Sequence, residues 1–391
     1  MMGHSERAAH APVSATQPGA PGSRLPLALT WQRKRPAGSA PQPGAPGSAP
    51  RLFAVLTWVS RRPGSQFSIL LASLLAVSTL FAASCRQSPS PSGAAAASRT
   101  SFSQLRPEDF DPAPNTPPAL PISGERAYKT LKEFVALGPR YLGSPGHARA
   151  EQFILSHLEG AQIEQDKFTA QTPAGPFAMN NIVGKFTGKK DGIIVLAGHY
   201  DTNYPLRNTS FIGANDGGSN VGLMLEIASQ LRAHRPEGYS IWLVFTDGEE
   251  AVVNWTDSDS VYGSKHLARK WSADGTAAKV KAFLLLDMIG DKDLNIDRES
   301  NSTPWLLDVV YRAAERRGRQ SHFFARPNTV GDDHLPFGAV GIPVADLIDI
   351  EYGFQNIYHH TTEDTPDKCS AQSLQIVGDV VMETIRALNT R

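Results

Sequence analysis

Cysteine is the scarcest residue of this 391-residue chain: there are two, Cys85 and Cys369, in stretches of very different composition. Two such thiols argue against a disulfide-stapled fold and offer no thiolate cluster to a metal. A charge excess of one sign is missing too, with Lys+Arg and Asp+Glu at 38 each. No Lys/Arg stripe with interleaved aromatics is present, so nucleic acid is not an expected partner. Long apolar runs are also absent. The best of them, 67–83 (FSILLASLLAVSTLFAA), is too short and too abruptly followed by polar sequence to span a membrane convincingly. What remains is 41% hydrophobic residues over a length that supports one large core without covalent staples.

The charge balance hides an uneven chain. The first hundred residues hold ten Lys/Arg against one acid, Glu6, leaving 28 basic and 37 acidic residues for the rest. Residues 17–36 (QPGAPGSRLPLALTWQRKRP) recur at 42–63 with small insertions, in Pro/Gly-rich sequence without a periodic apolar face. Residues 1–60 therefore read as a disordered repeat. The tandem copy, and the lack of Met between Met2 and Met179, suggest that translation begins within it, near 55–59. Residues 61–85 have the charged, apolar, small-residue order of an export signal, and Ser84-Cys85 resembles a lipoprotein cleavage site. The expected location is outside the cytoplasm: periplasmic, attached to the envelope as a lipoprotein, or extracellular, with membrane contact only through the signal or a lipid. Residues 86–121, rich in Ser, Pro and Ala, read as a flexible linker.

From 122 to 391 the texture is that of a folded catalytic domain. Ser123 is a plausible N-cap before apolar positions Tyr128, Leu131, Phe134 and Val135 at helical spacing. Apolar runs at 192–197, 241–245, 282–286 and 342–348 predict buried strands, and helical patterns at 221–232, 264–271, Pro304–Arg316 and 370–388 lie between or after them. The alternation predicts an α/β fold, a three-layer sandwich with a central mixed, largely parallel sheet flanked by helices.

Polar residues follow each predicted strand: His199-Tyr200-Asp201, Asp247-Gly248-Glu249-Glu250, and Asp287 directly after five apolar residues. Functional groups of open α/β sheets gather beyond the strands' carboxyl ends. Asn215-Asp216 before the helix at 221, and His359-His360 with Glu363-Asp364-Thr365 near the end, match in kind. Taken singly, Asp216 reads as a turn residue, Glu249-Glu250 as solvated surface and the His-His pair as an exposed loop. Asp287 is harder to dismiss, because an acid closing an apolar strand needs a partner or a metal. Together these imidazoles and carboxylates form the oxygen and nitrogen ligand set that suits a catalytic zinc with one open position.

The order GHYD (198–201), IGANDGGSNVGLMLE (212–226), FTDGEEA (245–251), LLLDMIGD (284–291), DDHLPF (332–337) and HHTTEDT (359–365) resembles the zinc aminopeptidase and glutaminyl cyclase superfamily. GEEAVVNWTDSDSVYGSKHLA (248–268) and GPRYLGSPGHARAEQFILSHL (138–158) are similar to the cyclases in particular. The resemblance covers roughly 123–388. It implies Asp216, Glu250 and His360 as ligands of one zinc ion, Glu249 as general acid and base, and Asp287 and Asp332 as a carboxylate pair near the substrate amine. It also implies Trp255 as a wall of a pocket for the N-termini of peptides or proteins, and a monomer. Two positions depart from the cyclase pattern: His359 stands where a Trp precedes the zinc-binding His, and Gly331 replaces a larger polar residue before Asp332. Both bear on pocket shape. The rival implied by the same superfamily is a two-zinc exported aminopeptidase, with His199 and Asp287 on the second ion and Asp216 bridging. A catalytically dead binding module is a further class, but such modules lose acids from the site, and none is lost here.

Overall fold

The computed structural model describes residues 102–391; the repeat, the export signal and the start of the linker lie outside the described residues. The first helix, α1 (Gly124–Val135), begins where Ser123 predicts, its hydroxyl accepting from the Arg126 backbone N–H. The second, α2 (Pro145–His157), follows Ser144 as cap and has Pro145 in the first turn, where a missing N–H costs no hydrogen bond. The elements β1 (Gln162–Thr172), β2 (Gly175–Phe186), β3 (Lys190–His199), α3 (Ser219–Ala233), β4 (Tyr239–Thr246), α4 (Tyr262–Asp274), β5 (Val280–Asp287) and β6 (Ile296–Glu299) come next. Then follow α5 (Pro304–Arg316), β7 (Phe323–Asn328), α6 (His334–Ala339), β8 (Val344–Ile348) and α7 (Ala371–Leu388).

Six strands form one sheet in the order β1-β2-β4-β3-β5-β8. The β4-β3-β5-β8 half is parallel, and the β1-β2 hairpin joins it antiparallel through β4. Every strand expected from an apolar run is in the parallel half. The hairpin was not expected, and neither was the small parallel pair β6-β7.

The period of two along each strand sorts its side chains into two cores. Ile194 and Leu196 of β3 join Leu284 and Leu286 of β5 in a large cluster with residues of α1, α3, α5 and α7. Val195, Ala197, Phe283 and Leu285 face the other way, against Leu267, Ala268 and Trp271 of α4 and Phe337 of α6. This is the expected three-layer sandwich. At Gly198, one residue before the sheet's polar end, a Cβ would lie 2.2 Å from Asn220 Nδ2 and 2.7 Å from the Leu286 carbonyl oxygen. Glycine there lets α3 and β5 close around the strand that delivers His199.

The linker expected up to residue 121 ends sooner than composition suggests. Phe110 is buried and stacks on Trp305 at 5.5 Å between centroids, while Phe102 packs edge-on to the same ring. Asp111 pairs with Arg312 and Arg316, and Arg386 donates to the carbonyls of Thr116 and Pro117. Residues 102–121 are therefore a docked strap, whose aromatic anchors compensate its Pro-rich backbone. Among the described residues no helix is long and apolar enough to cross a membrane.

Candidate active site

The carboxyl ends of β3, β4 and β5 deliver His199, the 247–250 turn and Asp287 to one place, and two loops close over it. One loop leads into α3 and carries Asp216; the other precedes α7 and carries His360. Residue by residue, the structure brings the expected set together. His360 Nε2 lies 3.1 Å from Glu250 Oε1 and 3.2 Å from Asp216 Oδ2. His199 Nε2 lies 3.1 Å from Asp216 Oδ1 and 3.4 Å from Asp287 Oδ1, and its Nδ1 is 3.9 Å from Glu249 Oε2. Asp216, Glu249, Glu250, Asp287 and Asp332 are all buried.

These groups line a cavity of about 350 Å³ with Trp255, Met288, Val330, Gly331, Ile348, Ile350 and His359. Trp255 remains 47% exposed, so its ring can accept a substrate side chain. A Cβ on Gly331 would meet only Trp255 Nε1, at 3.5 Å, so the missing polar side chain leaves open space beside the ring. His359 sits at the pocket wall as expected, 4.1 Å from the His360 ring, with Nδ1 3.1 Å from Asn356 Nδ2. Its ring also brings a nitrogen within 4.8 Å of ligand atoms of Asp216 and His360. Burial lowers its pKa and keeps it neutral. Two larger cavities, of about 620 and 880 Å³, share no lining residue with the site and hold no histidine.

The donor set fits a metal ion. Asp216 Oδ2, Asp287 Oδ1 and both ring nitrogens of His199 are buried without a hydrogen-bond partner, although charged neighbours stand within 3.5 Å. Buried groups of this kind are costly unless something else engages them. Two triplets, Asp216-His359-His360 and His199-Asp216-Asp287, place one ligand atom each within 4.8 Å of the others.

Charge perturbation follows from the crowding. At Asp216 burial opposes ionisation, but His199 and His360 outweigh it and hold the carboxyl well below its ordinary range. At His360 burial is likewise outweighed, by Glu250 and Asp216, and the imidazole rises to about 11. Burial drives Glu249 well above the usual carboxylate range despite His199, and Asp332 adds to the rise. Asp332 is raised by burial and by Asp287. Perturbed carboxylates gathered in a cleft mark a candidate functional site.

Several supporting residues stood in the recognised runs without an assigned role. Asp201 accepts from the backbone N–H of Glu249 at 3.2 Å and of Glu250 at 3.4 Å, fixing the turn that aims both side chains. Asp364 does the same for Asn215 and Asp216, at 2.8 and 3.2 Å, and Asn203 Nδ2 donates to Glu250 Oε2 at 2.8 Å. Met288 and His360 hold positive φ, 49° and 52°, in the left-handed region that non-glycine residues avoid. Such strain at Asp287's neighbour and at His360 itself is what a functional site stores.

Beneath the 247–250 turn, His147 Nε2 lies 2.7 Å from Asp247 Oδ1, and the Asn180 N–H donates to Asp247 Oδ2. Burial works against the imidazolium, but Asp247 overcomes it and raises His147 to about 9 from its ordinary 6.5. A raised pKa stabilises the fold fully below pH 6.5, and the contribution is lost as pH rises through 9. Unfolding free energy measured by denaturant titration should therefore fall by about 3 kcal/mol more between pH 6.5 and 9 in the parent than in His147→Gln. Equal slopes in the two proteins would remove the pair from the account.

The model of peptidase family M28 matches residues 181–385, more than half of the chain. A glutaminyl-peptide cyclotransferase of Bothrops jararaca is 30% identical over 62% of this chain and 75% of its own length. A glutaminyl-peptide cyclotransferase-like protein of Bos taurus is 31% identical over 57% of this chain, which spans 65% of that relative. The crystal structure of an Acidobacteriales bacterium glutaminyl cyclase is 55% identical, with a TM-score of 0.69 over 72% of this chain and 99% of that one. With the cavity, its carboxylates and its two adjacent histidines already in place, these likenesses decide the family: the chain belongs to peptidase family M28 and, within it, to the glutaminyl-peptide cyclotransferases.

Proposed function

We propose that the chain converts the N-terminal glutamine of peptides and proteins to pyroglutamate with release of ammonia, using one zinc ion held by Asp216, Glu250 and His360. The observation that carries this reading is His360 Nε2 within 3.2 Å of both carboxylates, beside a pocket that also holds Glu249, Asp287, Asp332 and Trp255. A zinc ion so held supplies Lewis-acid polarisation of the substrate γ-carboxamide.

The chain's own residues do the rest. Glu249 accepts a proton from the substrate α-amine as the amine nitrogen bonds to the side-chain carbonyl carbon. When the carbon–nitrogen bond to the amide group breaks, Glu249 returns that proton to the departing ammonia. No nucleophilic side chain is required, because nucleophile and electrophile belong to one substrate and the site has mainly to orient them. Asp332, whose proton affinity burial and Asp287 raise, and Asp287 face the amine and leaving group. Trp255 packs on the glutaminyl chain, and His359 lines the pocket beside His360. Action outside the cytoplasm, through the signal at 61–85 with Cys85 as a lipidation site, and a monomeric state complete the proposal.

One observation favours a second reading. The His199-Asp216-Asp287 triplet could hold another ion, as in a two-zinc aminopeptidase. The purified protein should cyclise a fluorogenic substrate that begins with Gln and leave Leu- and Ala-amide substrates intact. Release of free amino acid from the amides, without cyclisation of the Gln substrate, would favour the peptidase.

A further inference from the structure

The only lysine or arginine buried among the described residues is Arg140, on the connection between α1 and α2, and its side chain is fully enclosed. It touches no carboxylate. Its Nε donates to the Tyr200 carbonyl at 3.0 Å, Nη1 to Ile212 at 2.5 Å and Nη2 to Gly213 at 2.9 Å, while the guanidinium lies 4.6 Å from the Phe134 ring centre. Its backbone N–H donates to Thr202 Oγ1 at 2.9 Å. The fork thus ties the end of β3 to the turn at 212–216. That turn leaves no slack: Gly213 has φ +52°, and a Cβ there would lie 2.4 Å from the Asp216 carbonyl oxygen and 3.2 Å from Arg140 Nη2. The charge balance points the same way. The carboxylates that offset the guanidinium's burial are Asp364, Asp216 and Asp201. Two of these hold backbone N–H groups of the site, and the third is Asp216.

We propose that Arg140 is a positioning residue for the metal centre: its guanidinium clamps the 212–216 turn so that Asp216 is presented to the ion, and it supplies the permanent positive charge that lets the surrounding acids stay packed. The proposal rests on the reading of Asp216 as a ligand. Lysine cannot replace the fork, since one ammonium cannot hold three diverging carbonyls, yet it keeps the charge. Methionine keeps the bulk and loses both.

The test measures the zinc dissociation constant of the full chain by competition with a chromophoric chelator, for the parent, Arg140→Lys, Arg140→Met and Asp216→Asn, together with turnover of zinc-saturated protein. Residues that orient metal ligands typically cost about 10- to 100-fold in affinity when changed. Arg140→Lys should weaken zinc about tenfold and Arg140→Met about a hundredfold, with turnover of Arg140→Lys largely restored at saturating zinc. If Arg140→Met does not fold, Arg140→Lys decides alone. An affinity within twofold of the parent in Arg140→Lys overturns the proposal when Asp216→Asn has lost its zinc. An unchanged affinity in Asp216→Asn instead overturns the ligand reading itself, and the clamp with it.

Discussion

Replacing Glu249 by Gln is expected to reduce turnover of a Gln-initiated peptide by about a hundredfold to ten-thousandfold while zinc content stays at the parent level. The substitution keeps volume and hydrogen-bonding capacity but removes the atom that exchanges a proton. Glu249 is buried, 3.9 Å from His199 and on the turn fixed by Asp201, so its carboxylate has a defined direction and few competing partners. It is also the acid that makes no close contact with His360, whereas its neighbour Glu250 lies 3.1 Å from that ring. In the proposed mechanism the adjacent acids thus divide the work, one toward the ion and one toward the substrate. Steady-state kinetics with metal analysis on the same sample checks this. Retained turnover would remove Glu249 from the mechanism, and lost zinc would reassign it as a ligand.

His360→Ala should have the complementary effect, with zinc and activity lost together and the fold kept. His360 stands 38% exposed on a loop, so its truncation opens no sealed cavity, yet its Nε2 is the one nitrogen placed between Asp216 and Glu250. Without it the proposed ligand set keeps only its two carboxylates, a poorer set for zinc than the mixed nitrogen and oxygen triad. The left-handed backbone at this position also disfavours alanine, so the thermal midpoint should drop slightly even in metal-free protein. Chelation of the parent should reproduce the loss of activity, with recovery on adding zinc. Full zinc binding by His360→Ala would refute the ligand assignment.

Parts of this architecture were legible in the sequence because burial leaves a strong mark. The strands β3, β4, β5 and β8 are covered on both faces, so they read as continuous apolar runs, and an acid or histidine at the end of such a run stands out. His199 and Asp287 were visible for that reason alone. The β1-β2 hairpin was not. In β1, QIEQDKFTAQT, only Asp166 and Ala170 are buried, so an edge strand hydrated along most of its length shows no apolar alternation. The strap at 102–121 was hidden differently: two phenylalanines in Pro-rich sequence anchor it, and local composition cannot show that Trp305 awaits them from nearly two hundred residues away.

The site divides in the same way. Residues that face the cavity occur in recognisable runs, and their roles as ligands or bases were read from resemblance as much as from chemistry. Residues that act through others, such as Asp201, Asp364, His147 and Arg140, stand in the same quoted runs, but no spacing assigned them a role. Their contacts run through backbone groups brought together only by the fold. Arg140 illustrates the point, since nothing in RYLGSPG says that its arginine is fully buried.

Both proposed readings use Asp216, Glu250 and His360 as ligands, so what distinguishes them is whether His199 and Asp287 also hold an ion. Elemental analysis of the purified, active protein, dialysed against metal-free buffer, counts the answer directly. The expected stoichiometry is close to one zinc per chain. A value close to two would contradict it and place the second ion on His199 and Asp287.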